Sequence, residues 1–87
     1  MRLEPTETRA LVTRLRRANG HLASVIRMLE EGAECEDVLT QLAAVHKAIG
    51  RCAYSLITTG MTACFKSAAD PDEVDTKRME RLFRSFA

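Results

Sequence analysis

Between positions 38 and 56 apolar side chains recur at Val38, Leu42, Val45, Ile49, Cys52 and Leu56, stepping by four, three, four, three and four. A strand alternates its side chains with period two, so only a long helix keeps these six on one stripe. A stripe of that length must be covered, and the rest of the chain can be read as the search for its cover. Composition agrees with an all-α fold: Ala, Leu, Arg, Glu and Met abound, whereas the 87 residues hold two prolines, one tyrosine and no tryptophan.

A first helix is expected at about 5–31. Pro5 suits its opening turn, Gly32 suits its C-cap, and Leu11, Leu15, Leu22, Val25, Ile26 and Leu29 give it an apolar side. A second helix is expected at about 35–66. The connection between them is so short that they must pack antiparallel. The stretch "SAADPDEVD" reads as a loop and restart, with Asp70 as N-cap, Pro71 at the first helical position and Glu73 near N3. It predicts a short third helix over about 71–85 bearing Val74, Met79, Leu82, Phe83 and Phe86. Gly20, Gly50 and Gly60 fall inside helices, which suggests close backbone approaches or a bend, with "TTG" at 58–60 the favoured place for one.

The whole chain reads as a single domain. Three helices of this size leave too little interior for their apolar side chains. An isologous dimer with the second helix packed antiparallel against its mate would cover the stripe. It would also bring Cys35 of one chain towards Cys64 of the other, two residues that stand 29 positions apart and cannot meet within one helix.

Net charge is +1, which excludes a uniformly basic nucleic-acid binder, yet the charges are sorted. Arg2, Arg9, Arg14, Arg16 and Arg17 crowd the first twenty residues. Glu30, Glu31, Glu34, Glu36 and Asp37 crowd the first turn region. Arg14, Arg16 and Arg17, joined by Lys47 and Arg51, are the candidate phosphate-binding residues. No apolar run approaches membrane-spanning length and no secretory leader is evident, so a cytoplasmic location is expected, where the three cysteines stay as thiols at rest. Cys52 lies in the apolar stripe and reads as a packing residue. His21 reads as a structural histidine and His46 as a surface or interface residue. A thiol enzyme has no support from a paired base or nucleotide loop.

The arginine-rich "RLRR" at 14–17, "GH" at 20–21, "RMLE" at 27–30, "CEDVLTQ" at 35–41 and "CF" at 64–65 together resemble the copper-sensing repressor family, the CsoR/RcnR/FrmR group of bacterial transcription factors. The resemblance covers about residues 9–66. It implies an all-helical dimer of dimers, a homotetramer, that binds operator DNA and releases it when an inducer fills an intersubunit site.

Copper-sensing members of that group use a cysteine opening the second helix with a histidine and a cysteine near its end. Here the matching positions are Cys35, Gly60 and Cys64. Gly60 has no ligand atom, His21 and His46 do not match the ligand positions of the nickel and cobalt members, and Arg2 stands where the aldehyde-sensing branch has proline. The pair without the histidine is similar to the CstR-type persulfide-sensing branch. That similarity implies a repressor that needs no cofactor and is induced by per- or polysulfide bridging Cys35 to Cys64. Cys35, in the first turn where the helix dipole favours an anion, is expected to attack, and Cys64 to resolve. The alternative is a copper(I) sensor with a two-thiolate site at the same residues.

Overall fold

The computed structural model describes residues 3–67 and 76–85, with the side chains of Glu7 and of residues 63–67 left out of the description. It contains three helices in the order α1 (Pro5–Glu30), α2 (Cys35–Ser67) and α3 (Thr76–Arg84). The fold is all-α, with two long antiparallel helices and a short third one. Asp70, Pro71, Glu73, Val74 and Phe86, assigned from the sequence to the third helix and its cap, lie outside the described residues.

The α1–α2 turn is built by local chemistry. Gly32 adopts φ +75°, the left-handed conformation that glycine reaches without a Cβ penalty. Its amide donates to the Leu29 carbonyl at 3.2 Å and the Ala33 amide donates to the Met28 carbonyl at 2.9 Å. Together these form a Schellman motif that satisfies two carbonyls at the end of α1. Two residues later the Glu34 carbonyl accepts from the Val38 amide at 3.1 Å, which makes Glu34 the N-cap of α2 and Cys35 its first helical residue. Glu36 and Asp37 fill the first turn, where the helix dipole favours negative charge.

Packing between α1 and α2 follows a seven-residue spacing. Leu11, Ala18 and Val25 are buried on α1, and Val38, Val45 and Cys52 on α2. Val25, Val38 and Val45 form one cluster with Leu22 and Met28 packed against it, at the turn end of the hairpin. Leu11 and Cys52 share a groove towards the other end. Val25 and Val45 are each 2% exposed, so each contributes about 1.5–3 kcal/mol of burial. A cross-helix hydrogen bond joins the same layer: His21 Nε2 and Gln41 Oε1 lie 2.7 Å apart. The side chain of His21 is thus partnered, as a structural histidine should be.

The expected single stripe on the second helix divides in two. Val38, Val45 and Cys52 face α1, whereas Leu42, Ile49 and Leu56 remain 40–45% exposed. The reason is geometric, because steps of four and three sweep across more than one partner's width, and α1 covers only half of it. On α1, Leu15, Ile26 and Leu29 are likewise exposed rather than core. The chain extends over 56 × 26 × 13 Å, a slab about one helix thick. No interior exists in it for these side chains.

The expected close approaches at the helical glycines are not found at Gly20 or Gly50, where an added Cβ would meet nothing within 4 Å. Gly60 is buried, and α2 runs through it without a break.

α3 turns back along α2. Met79 is its buried residue, and Phe83 meets Tyr54 of α2 edge to face, with ring centroids 6.1 Å apart. Glu80 and Arg84 form an ion pair one turn apart on its outer side.

Candidate functional site

Cys35 is exposed at the first position of α2. Cys64 lies in the last turn of the same helix, and its side chain is outside the described residues. Because α2 is unbroken between them, their backbones are separated by roughly 43 Å at ~1.5 Å rise per residue. A disulfide requires Cα atoms within about 7 Å. Within one chain the pair cannot meet, with or without a bridging atom. Cys52 is buried at 3% exposure between the helices, consistent with a packing role.

Among the described residues no three of His, Cys, Asp or Glu are grouped so as to hold a metal ion. His21 is committed to Gln41, and His46 lies on the outer surface of α2, far along the helix from Cys35. Cys35 and Cys64 carry thiols at the two ends of α2, and thiolates suit copper(I) in a low-coordinate site. Gly60, one turn before Cys64, brings no side chain to it.

The basic residues separate into two groups. Arg14 from α1 and Lys47 and Arg51 from α2 line one open cleft of about 530 Å³, together with His46, Gly50, Tyr54 and Ser55. Arg14 Nη1 donates to Ser55 Oγ at 3.3 Å, tying the α1 cation to the α2 wall. Lys47, Arg51 and Tyr54 share this face because steps of four and three keep residues on one side of a helix. Arg16 and Arg17 are exposed on α1 but do not line the cleft. Sequence reasoning missed His46, Tyr54 and Ser55 as lining residues. Extending the Lys47 and Arg51 spacing by one further turn would have reached the last two.

The sequence has relatives among known repressors. A family described as "Metal-sensitive transcriptional repressor" matches residues 7–85. The copper-sensing transcriptional repressor CsoR of Mycobacterium ulcerans is 42% identical over 60 residues, covering 69% of this chain and 51% of that protein. CsoR of Mycobacterium tuberculosis is 37% identical over 60 residues, with 69% and 50% covered. The copper-sensing transcriptional repressor RicR of the same species is 40% identical over 55 residues, with 63% and 57% covered. The chain thus spans about half the length of the CsoR relatives. No solved structure gives a significant match. The persulfide expectation finds no counterpart in these names, which favour its copper(I) alternative.

Proposed function

The chain belongs to the metal-sensitive transcriptional repressor family, and from that premise we propose that it binds operator DNA as an oligomer and releases it when copper(I) is held between Cys35 of one subunit and Cys64 of another. The observation that carries the reading is the placement of both cysteines on one unbroken helix, roughly 43 Å apart. Two copies of α2 packed antiparallel bring each Cys35 beside the partner's Cys64, two sites per dimer, and they bury Leu42, Ile49 and Leu56, which one chain leaves exposed. The cleft of Arg14, Lys47 and Arg51, with Arg17 one turn from Arg14 on α1, supplies phosphate contacts, multiplied by the copies in a tetramer, and Arg16 adds a cation on the other face of α1. A 100-fold loss of operator affinity on induction corresponds to ~2.7 kcal/mol of coupling between the two sites.

A second reading is favoured by Gly60, buried and without a ligand atom where the copper-sensing pattern has histidine. In it the inducer is a persulfide. One thiolate attacks the outer sulfur of the donor and releases the donor thiolate; the facing thiolate then attacks the inner sulfur of the new Cys–S–SH, forming the intersubunit disulfide and expelling HS⁻. Two persulfidated cysteines would instead give a trisulfide and H₂S.

One titration separates the readings. The reduced protein, bound to duplex DNA from upstream of its own gene, is treated with copper(I) in the presence of a competing chelator and separately with a polysulfide. Release by copper(I), abolished in both Cys35→Ala and Cys64→Ala while DNA binding is kept, supports the copper sensor. Release by polysulfide alone, with dimers cross-linked under non-reducing conditions, supports the persulfide sensor. Reduced protein that binds no upstream DNA overturns both.

A further inference from the structure

We infer that α3 is a second phosphate-contacting element of this protein, held in register with the basic cleft by the Tyr54–Phe83 ring contact. The inference rests on the operator-binding reading and adds to it a part of the chain that neither the cysteine pair nor the cleft uses.

The charge of the molecule is concentrated here. The nine residues of α3 hold Lys77, Arg78, Arg81 and Arg84 against Glu80 as the single carboxylate, in a chain whose net charge is only +1. Glu80 is engaged by Arg84 on the same helix, and the helix as a whole stays strongly positive. The acids that precede α3, Asp70, Asp72, Glu73 and Asp75, fall before Thr76 in the sequence. Lys77 and Arg81, four residues apart, share one side of α3 and are exposed.

Orientation is set by the opposite side. Met79 is buried, and Phe83, four residues on, meets the Tyr54 ring. At 100° per residue Arg81 projects away from Met79, and Lys77 projects to the same outer side. Tyr54 is also a wall of the cleft that holds Arg14, Lys47 and Arg51. The helix that carries Lys77 and Arg81 is therefore tied through Phe83 to a wall of the basic cleft, while the two cations stand on its outer side. α3 is roughly 13 Å long at ~1.5 Å per residue, while phosphates of one DNA strand recur every ~3.4 Å of helix axis. A duplex that reaches α3 presents several phosphates over that length. Two exposed cations one turn apart on a basic helix match the regularly spaced charges of a polyanion.

The test is the salt dependence of binding, which reports how many phosphates the protein neutralises: the logarithm of the association constant falls with the logarithm of salt concentration by about 0.9 per phosphate in duplex DNA. The probes are a mixed-sequence duplex and the duplex from upstream of the protein's own gene. With Lys77→Gln and Arg81→Gln combined, the slope is expected to become shallower by about 0.9 for every phosphate no longer neutralised, on both probes alike, because backbone contacts carry no sequence preference. Phe83→Ala, which removes no charge, is expected to make the slope shallower as well, and Phe83→Tyr to restore it. An unchanged slope in the double glutamine variant overturns the inference, even if affinity drops. An unchanged slope in Phe83→Ala overturns the role of the ring contact. Wild-type protein that binds neither duplex overturns the operator-binding reading itself, an outcome distinct from the other two.

Discussion

Two glycines of identical composition have opposite consequences. Gly32 works at φ +75°, where a side chain costs about 1–2 kcal/mol, so Gly32→Ala is expected to lower stability by ~1 kcal/mol. Gly20 is helical with open space around the position of a Cβ, and Gly20→Ala is expected to raise stability by roughly 0.5–1 kcal/mol. Urea unfolding at one fixed chain concentration measures both. A Gly20→Ala variant less stable than wild type would mean that another subunit approaches the backbone there. Gly32 was legible as a cap from the sequence, since it follows an apolar period and precedes acids that open the next helix. Gly20 was not, because one sequence cannot distinguish a glycine kept for close contact from one that touches nothing. The His21–Gln41 pair belongs to the same scale: a double-mutant cycle on His21→Ala and Gln41→Ala should give coupling of ~0.5–1.5 kcal/mol.

At the level of elements the apolar pattern of α2 carries two jobs. Val45 is 2% exposed and packs with Val25 and Val38, so Val45→Ala is expected to cost about 2 kcal/mol from the missing methyl groups and the space they leave. Ile49 is 42% exposed, one turn further along. Ile49→Glu is expected to leave the helicity of the protomer intact, read by far-ultraviolet circular dichroism, while converting oligomers to monomers in sedimentation. If Ile49→Glu kept its oligomeric state, the proposed α2–α2 packing, by which Cys35 would meet Cys64 of another chain, would have to be abandoned. The sequence displayed both residues in one stripe. Only packing against α1 separated them, since α1 is narrower than the apolar arc it faces.

For the whole molecule the controlling fact is a slab 13 Å thick with an apolar face on α2. Such a body reaches a normal buried fraction only with a second copy, so its unfolding should depend on chain concentration. A Tm that rises with protein concentration is the expected outcome, and a Tm independent of concentration would point to a monomer. The cysteine pair belongs to this scale too. Cys35→Ala and Cys64→Ala should each remove the whole inducer response, because either change leaves every site in the assembly with one thiol, and a mixture of the two variants should recover sites of mixed parentage. Measured by DNA release, the mixture is expected to regain part of the response that each variant alone lacks, since a mixed dimer pairs Cys35 from one variant with Cys64 from the other and so reforms half of its sites.

Local chemistry was written in the chain: helix periodicity, the Gly32 stop, the acids that open α2, and the distance between Cys35 and Cys64 along one helix. Each depends on neighbours within a turn or two, where backbone sterics and hydrogen bonding operate. The three-dimensional arrangement decided what periodicity leaves degenerate. It chose which half of the apolar stripe is core, brought Arg14 of α1 beside Lys47 and Arg51 of α2, and folded α3 back so that Phe83 meets Tyr54 at the edge of that cleft. Those contacts join residues up to 41 positions apart, and they depend on which surfaces are left to bury once each helix has formed.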